Sequence, residues 1–89
     1  MTRFRAAGDA LAATLSDGTV LLNLRTKRYY SLNETGTRIW QLLLEGRTEG
    51  EIVLMMTTEY EVTDAVAHDE THAVIAALQQ DELIVADAG

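Results

Sequence analysis

Two histidines, His68 and His72, stand four residues apart, a spacing that puts both imidazoles on one face of a helix, where they could hold a metal ion. A zinc hydrolase built on such a pair needs a glutamate directly after the first histidine. Here Asp69 takes that position and Glu70 the next. The pair therefore reads as two surface imidazoles on an acidic helix, with no metal expected. The paired acids Glu49/Glu51, Asp69/Glu70 and Asp81/Glu82 fall in polar stretches with nothing beside them to raise a carboxyl pKa toward neutrality. The chain has no phosphate-binding glycine loop, no dinucleotide-binding glycine pattern and no nucleophile elbow. Without cysteine it has neither disulfides nor thiolate metal sites. These residues predict a domain without catalysis, cofactor or metal.

The elements that carry these residues divide into strands followed by helices. Ala10 to Leu15 runs into Asp17-Gly18, a hairpin signal, and Thr19 to Leu24 follows as a β-prone stretch with Val20, Leu22 and Leu24 alternating onto one face. Thr26-Lys27 makes a second reversal into a third strand, Arg28 to Leu32, in which Tyr30 and Leu32 share one face and Tyr29 and Ser31 the other. This strand is expected at the sheet edge, with Tyr29 off the core face.

Asn33 is a good N-cap for a helix whose apolar positions are Ile39, Trp40, Leu43 and Leu44, closed by Gly46. Trp40 at this spacing reads as core. Thr48 and Glu51 form a capping box opening a second helix with stripe Ile52, Val53, Met56 and Tyr60. Thr63 caps a third, its inward stripe Ala67, Thr71, Val74, Ile75 and Leu78. Leu83 to Ala86 ends the pattern as a short strand or extended tail. The fold expected is α+β and winged-helix-like, a three-stranded antiparallel β-meander followed by three α-helices.

Eighty-nine residues predict a single domain, 1–89, able to bury roughly 60–68% of its unfolded surface. No apolar run approaches the roughly 20 residues that span a bilayer, and Met1 to Arg5 leads into no signal-like apolar segment. A cytoplasmic location is expected. Residues 1–47 carry seven bases and four acids, a net of +3, whereas residues 48–89 carry ten acids and no Lys or Arg, a net of −10. The acidic half reads either as a solvating surface or as an attractor for a basic segment of a partner. A winged-helix DNA-binding regulator is the alternative function. Its groove-reading third helix, however, carries Asp64, Asp69 and Glu70 and no base, so it would repel phosphates.

The segment Gly18-Thr-Val-Leu-Leu-Asn-Leu-Arg-Thr-Lys-Arg-Tyr-Tyr-Ser-Leu-Asn-Glu-Thr-Gly-Thr-Arg-Ile-Trp, followed by Leu42-Leu-Leu-Glu-Gly-Arg-Thr and Glu51-Ile, resembles the PqqD-like family, as does Val74-Ile-x-x-Leu-x-x-x-x-Leu83. The likeness spans roughly positions 15 to 85. Members are recognition elements for ribosomally made, post-translationally modified peptides, among them those of pyrroloquinoline quinone synthesis and stand-alone proteins of lasso-peptide clusters. One departure is Glu82, where the family usually has Gly ahead of its terminal Leu. A side chain there requires another helix ending or a strained backbone.

The resemblance implies that the domain binds the leader of a precursor peptide, paired antiparallel with the third strand and lying against the third helix. It would then present the precursor to separate enzymes: a radical SAM protein, or a leader peptidase and a cyclase. Carried onto this chain, the site comprises Arg28, Tyr29, Tyr30, Ser31 and Leu32 on the strand. Val66, Asp69, Glu70, Ala73, Val74 and Ala77 form the helix wall, with Asp69 and Glu70 available to basic leader residues. No nucleic acid and no membrane are expected as partners.

Overall fold

A computed structural model describes residues 2–87. The chain runs β1 (Arg3–Ala6), β2 (Ala10–Leu15), β3 (Gly18–Asn23), β4 (Tyr29–Leu32), α1 (Glu34–Leu44), α2 (Glu49–Glu59), α3 (Asp64–Gln80) and β5 (Ile84–Asp87). The α+β class and the meander-then-helices order are as the sequence predicts. Winged-helix describes the arrangement only loosely. β2, β3 and β4 form the antiparallel three-stranded sheet, with β4 at one edge. The element not expected is β1, which pairs antiparallel with β5 and ties the two ends of the fold together in a second, two-stranded sheet. Its sequence, Arg-Phe-Arg-Ala, is too short and too charged to read as a strand alone; Phe4 is the one side chain it sinks into the core.

Both turns of the meander differ in detail from expectation. Leu15 pairs with Gly18, so the reversal is made by Ser16-Asp17 and Gly18 is the first residue of β3. Glycine is needed there for a packing reason: a Cβ would stand 2.2 Å from the carbonyl oxygen of Leu32 on β4. The second turn spans Leu24 to Lys27. The Lys27 N–H donates to the Asn23 carbonyl at 2.8 Å, and the Asn23 side-chain oxygen accepts from the Arg25 and Thr26 amides at 2.9 and 3.1 Å.

Val20 and Leu22 do share a face, but the buried face of β3 is the other one: Thr19, Leu21 and Asn23 are all within 1% of full burial. The two polar residues on it have partners. Thr19 accepts from Thr37 Oγ1 at 3.0 Å, and Asn23 Nδ2 donates to the Asp81 and Glu82 carbonyls at 3.2 and 2.9 Å, fastening the sheet to the end of α3. The outer face, with Leu11 and Tyr29 flanking Leu22 in register, is also apolar.

The helices follow their caps. The Asn33, Thr48 and Thr63 side chains accept from the amides of Gly36, Glu51 and Val66, and Thr48 with Glu51 completes the capping box. Ile39, Trp40, Leu42 and Leu43 of α1, Ile52 and Met56 of α2, and the whole predicted stripe of α3 close one core around Leu21. Within it the Thr71 hydroxyl has no hydrogen-bond partner. Leu44, expected in the apolar stripe, is instead exposed.

Helices α1 and α3 end alike. In α1 the Arg47 amide reaches the Leu42 carbonyl and the Gly46 amide reaches that of Leu43; in α3 Leu83 reaches Leu78 and Glu82 reaches Gln79. Both are paired six-to-one and five-to-two closures around a left-handed residue. That residue is Gly46 (φ 82°) in the first and Glu82 (φ 56°) in the second, so the departure from Gly at Glu82 is met by a strained backbone.

Candidate functional site

The free edge of β4 is the starting point. In an antiparallel ladder, residues alternate between pairs that exchange both backbone hydrogen bonds and pairs that exchange none. Asn23 N–H donates to the Arg28 carbonyl at 2.8 Å, which fixes the phase. Counting along the register, Leu21 with Tyr30 and Thr19 with Leu32 are the bonded pairs, while Leu22 with Tyr29 and Val20 with Ser31 are not. The N–H and C=O of Tyr29 and Ser31 therefore point away from β3, and no described strand pairs with that side. Side chains alternate with the same phase: Tyr29 and Ser31 lie on the outer face and are exposed, Tyr30 is half-buried, and Leu32 is buried.

Beside this edge runs a cleft of about 270 Å³ between β4 and α3, lined by Tyr30, Ser31, Leu32, Asn33, Gly36, Glu70, Ala73 and Val74. Leu32 and Val74 form its apolar floor, and the small side chain of Ala73 keeps α3 from filling it. Gly36 lets the first turn of α1 sit against the strand, because a Cβ there would be 3.1–3.3 Å from Leu32 side-chain atoms and the Asn33 side-chain oxygen. At the α1 end, Thr35 Oγ1 donates to the Glu70 carboxylate. At the other end, Arg28 Nη1 lies 3.5 Å from Asp81 Oδ1, bridging β4 to the end of α3.

Of the residues expected on sequence grounds, the cleft brings together Tyr30, Ser31, Leu32, Glu70, Ala73 and Val74; Tyr29 contributes its backbone to the rim. Arg28 stands at the end rather than inside. Val66 and Ala77 fall on the same helical stripe as Glu70 and Ala73, one turn beyond the cleft at either side, and do not line it. Asp69 is rotated off the stripe and exposed, with its carboxylate 3.8 Å from His68 Nδ1. Sequence reasoning missed Asn33, Thr35, Gly36 and Asp81. For Gly36, a glycine inside the first turn of a predicted helix was the available signal of close approach.

The histidine pair lies apart from this cleft. The His68 and His72 rings are parallel with centroids 6.1 Å apart, and Glu49 Oε2 is 3.9 Å from His68 Nε2 and 3.4 Å from His72 Nδ1. Among the described residues, no group of three or more His, Cys, Asp or Glu is placed to hold a metal ion. No described helix is long and apolar enough to cross a membrane.

The family model for coenzyme PQQ synthesis protein D (PqqD) matches residues 18–84, which hold β3, β4, all three helices and the cleft. The chain belongs to the PqqD family. Two solved structures with this PqqD-type architecture superpose closely on it. A lasso peptide synthetase B1 complexed with the leader peptide is 30% identical, with a TM-score of 0.84 over 93% of this chain and 98% of that one. TbiB1 in complex with the TbiA(beta) leader peptide is 33% identical, with a TM-score of 0.84 over 96% and 99%. No curated protein matches the sequence.

Proposed function

We propose that this PqqD-family domain binds the leader of a ribosomally made precursor peptide as an added strand on β4 and holds it for separate modifying enzymes, taking no catalytic part itself. The observation that carries the reading is the free edge: outward-facing amide groups at Tyr29 and Ser31, flanked by a cleft with Leu32 and Val74 at its floor and Ser31, Asn33 and Glu70 at its polar sides. Both structural relatives are described with a leader peptide, and one is named as a lasso peptide synthetase component. This favours lasso-peptide synthesis, with a leader peptidase and a cyclase as partners, over a radical SAM enzyme of quinone synthesis. The site of action is the cytoplasm, where precursors leave the ribosome.

Energetics divide the labour. Four to six backbone hydrogen bonds at roughly 0.5–1.5 kcal/mol each are offset by the roughly 2–5 kcal/mol needed to order the leader. The backbone thus sets register, and side chains entering the cleft, at about 1.5–3 kcal/mol for each one fully buried, supply affinity.

Tyr29→Pro removes one outward donor without touching the β3 ladder. The variant should keep the wild-type circular dichroism spectrum and melt, yet lose binding of a fluorescent peptide carrying the leader encoded beside this chain's gene. Tyr29→Ala, which keeps the amide, should bind it nearly as well as wild type. Equal affinity for the folded proline variant would refute strand addition here.

A further inference from the structure

Glu70 is the one cleft-lining acid, and its situation differs from that of the other well-placed acids of this chain. Glu59 is paired with Arg38, Asp81 with Arg28, Glu82 with Arg25, and Glu49 with the two histidines. Among the described residues no Lys, Arg or His nitrogen lies within 4 Å of the Glu70 carboxylate; the Thr35 hydroxyl is its partner, occupying one oxygen. The neighbouring stripe of α3 (Val66, Ala73, Val74, Ala77) offers no cation, and residues 48–89 contain no Lys or Arg at all. A half-buried carboxylate lining a cleft of mixed polarity, with no cation beside it and one oxygen unoccupied, favours a charged donor over a neutral one.

Geometry fixes where along a guest that donor falls. Guest residues opposite Tyr29 and Ser31 exchange backbone bonds with them and turn their side chains to the outer face. Residues opposite Leu32 and Tyr30 turn theirs into the cleft. Glu70 sits at the Leu32 end, next to Thr35, and Asp81 at the Arg28 end, so α3 runs opposite to β4 and alongside an antiparallel guest. The four-residue step along α3 from Glu70 to Val74 rises about 6.0 Å. Two guest residues advance about 6.8 Å. The two repeats nearly coincide, so side chains at alternate guest positions meet Glu70 first and the Ala73/Val74 floor second.

Resting on the leader-binding reading, we infer that the segment recognised here carries a lysine or arginine that pairs with Glu70, two residues ahead of an apolar side chain seated on Leu32, Ala73 and Val74. Glu70 is then a specificity-determining residue, selecting leaders by charge at one register position.

The test is a lysine walk. Each position of the neighbouring precursor's leader is replaced in turn by Lys, with any native Lys or Arg set to Gln, and every peptide is titrated against wild type, Glu70→Gln and Glu70→Lys. Glutamine retains an acceptor for Thr35, so that variant keeps the fold. Wild type should bind one peptide about tenfold more tightly than the rest, corresponding to about 1.4 kcal/mol. That Lys should lie two residues before the apolar anchor, itself located by alanine substitution. The gain should vanish in Glu70→Gln, and Glu70→Lys should instead prefer Glu at the same position. A gain that survives Glu70→Gln, one at another spacing, or no gain among peptides that still bind through the Tyr29 edge overturns the inference while leaving the function standing. If no leader peptide binds wild type, both fall.

Discussion

Glu82 occupies the left-handed position at the end of α3 that Gly46 occupies at the end of α1, with φ values of 56° and 82°. For an L-residue that conformation costs about 1–2 kcal/mol. Some is returned by the ion pair to Arg25 at 2.7 Å, exposed and so worth at most about 1 kcal/mol. Glu82→Gly relieves the strain, loses that pair and gains freedom when unfolded; the net expected is about 0.5 kcal/mol of stabilisation, read as a higher urea midpoint. A lower midpoint would mean that the Arg25 contact outweighs the strain. The anomaly was legible in the sequence, because a family pattern with Gly in this place marks a backbone demand. The role of Asn23 was not. Buried on a strand, it is justified by the Asp81 and Glu82 carbonyls, 58 and 59 residues away in the chain, and no local pattern carries that partnership.

At the scale of elements, β4 was legible as an edge strand, and the caps and stripes of all three helices were legible almost residue by residue. The faces of β3 were not: with Thr19 and Asn23 inside and Val20 and Leu22 outside, alternation points the wrong way. Buried hydroxyl and amide groups that find partners across the fold defeat a hydrophobicity rule. Strand β1 was hidden for a related reason, since it exists through its pairing with β5. Gly18 shows how two elements share one constraint. Its bare Cα admits the Leu32 carbonyl, so Gly18→Ala should push β3 from β4 and cost about 1–3 kcal/mol in thermal or urea unfolding. Because Leu32 also floors the cleft, leader affinity should fall in the same variant. Unchanged stability would show that the strand ends yield freely.

Across the whole molecule, the split between a basic first half and an acidic second half is spent partly inside the fold. Arg25 with Glu82, Arg28 with Asp81, and Arg38 with Glu59 each join a base from the first to an acid from the second. The last is bidentate, at 2.8 and 2.9 Å, and holds the Glu59 carboxyl below its ordinary 4.5; the Thr48 amide does the same for Glu51 within the capping box. A depressed folded pKa gives stability that is full above the unfolded value and lost as pH falls through the folded one. Stability should therefore hold near neutrality and decline below about pH 4.5, more shallowly in Arg38→Met than in wild type when urea unfolding is compared across that window.

The central claim, that β4 keeps vacant main-chain groups for a guest strand, is tested most directly by residue-resolved amide hydrogen exchange with and without saturating leader peptide. The Tyr29 and Ser31 amides should exchange rapidly in the free domain and slow by at least about tenfold when the peptide is bound. Those of Tyr30 and Leu32, already committed to β3, should be protected in both states. Binding that leaves Tyr29 and Ser31 exchanging at their free rates would contradict the account.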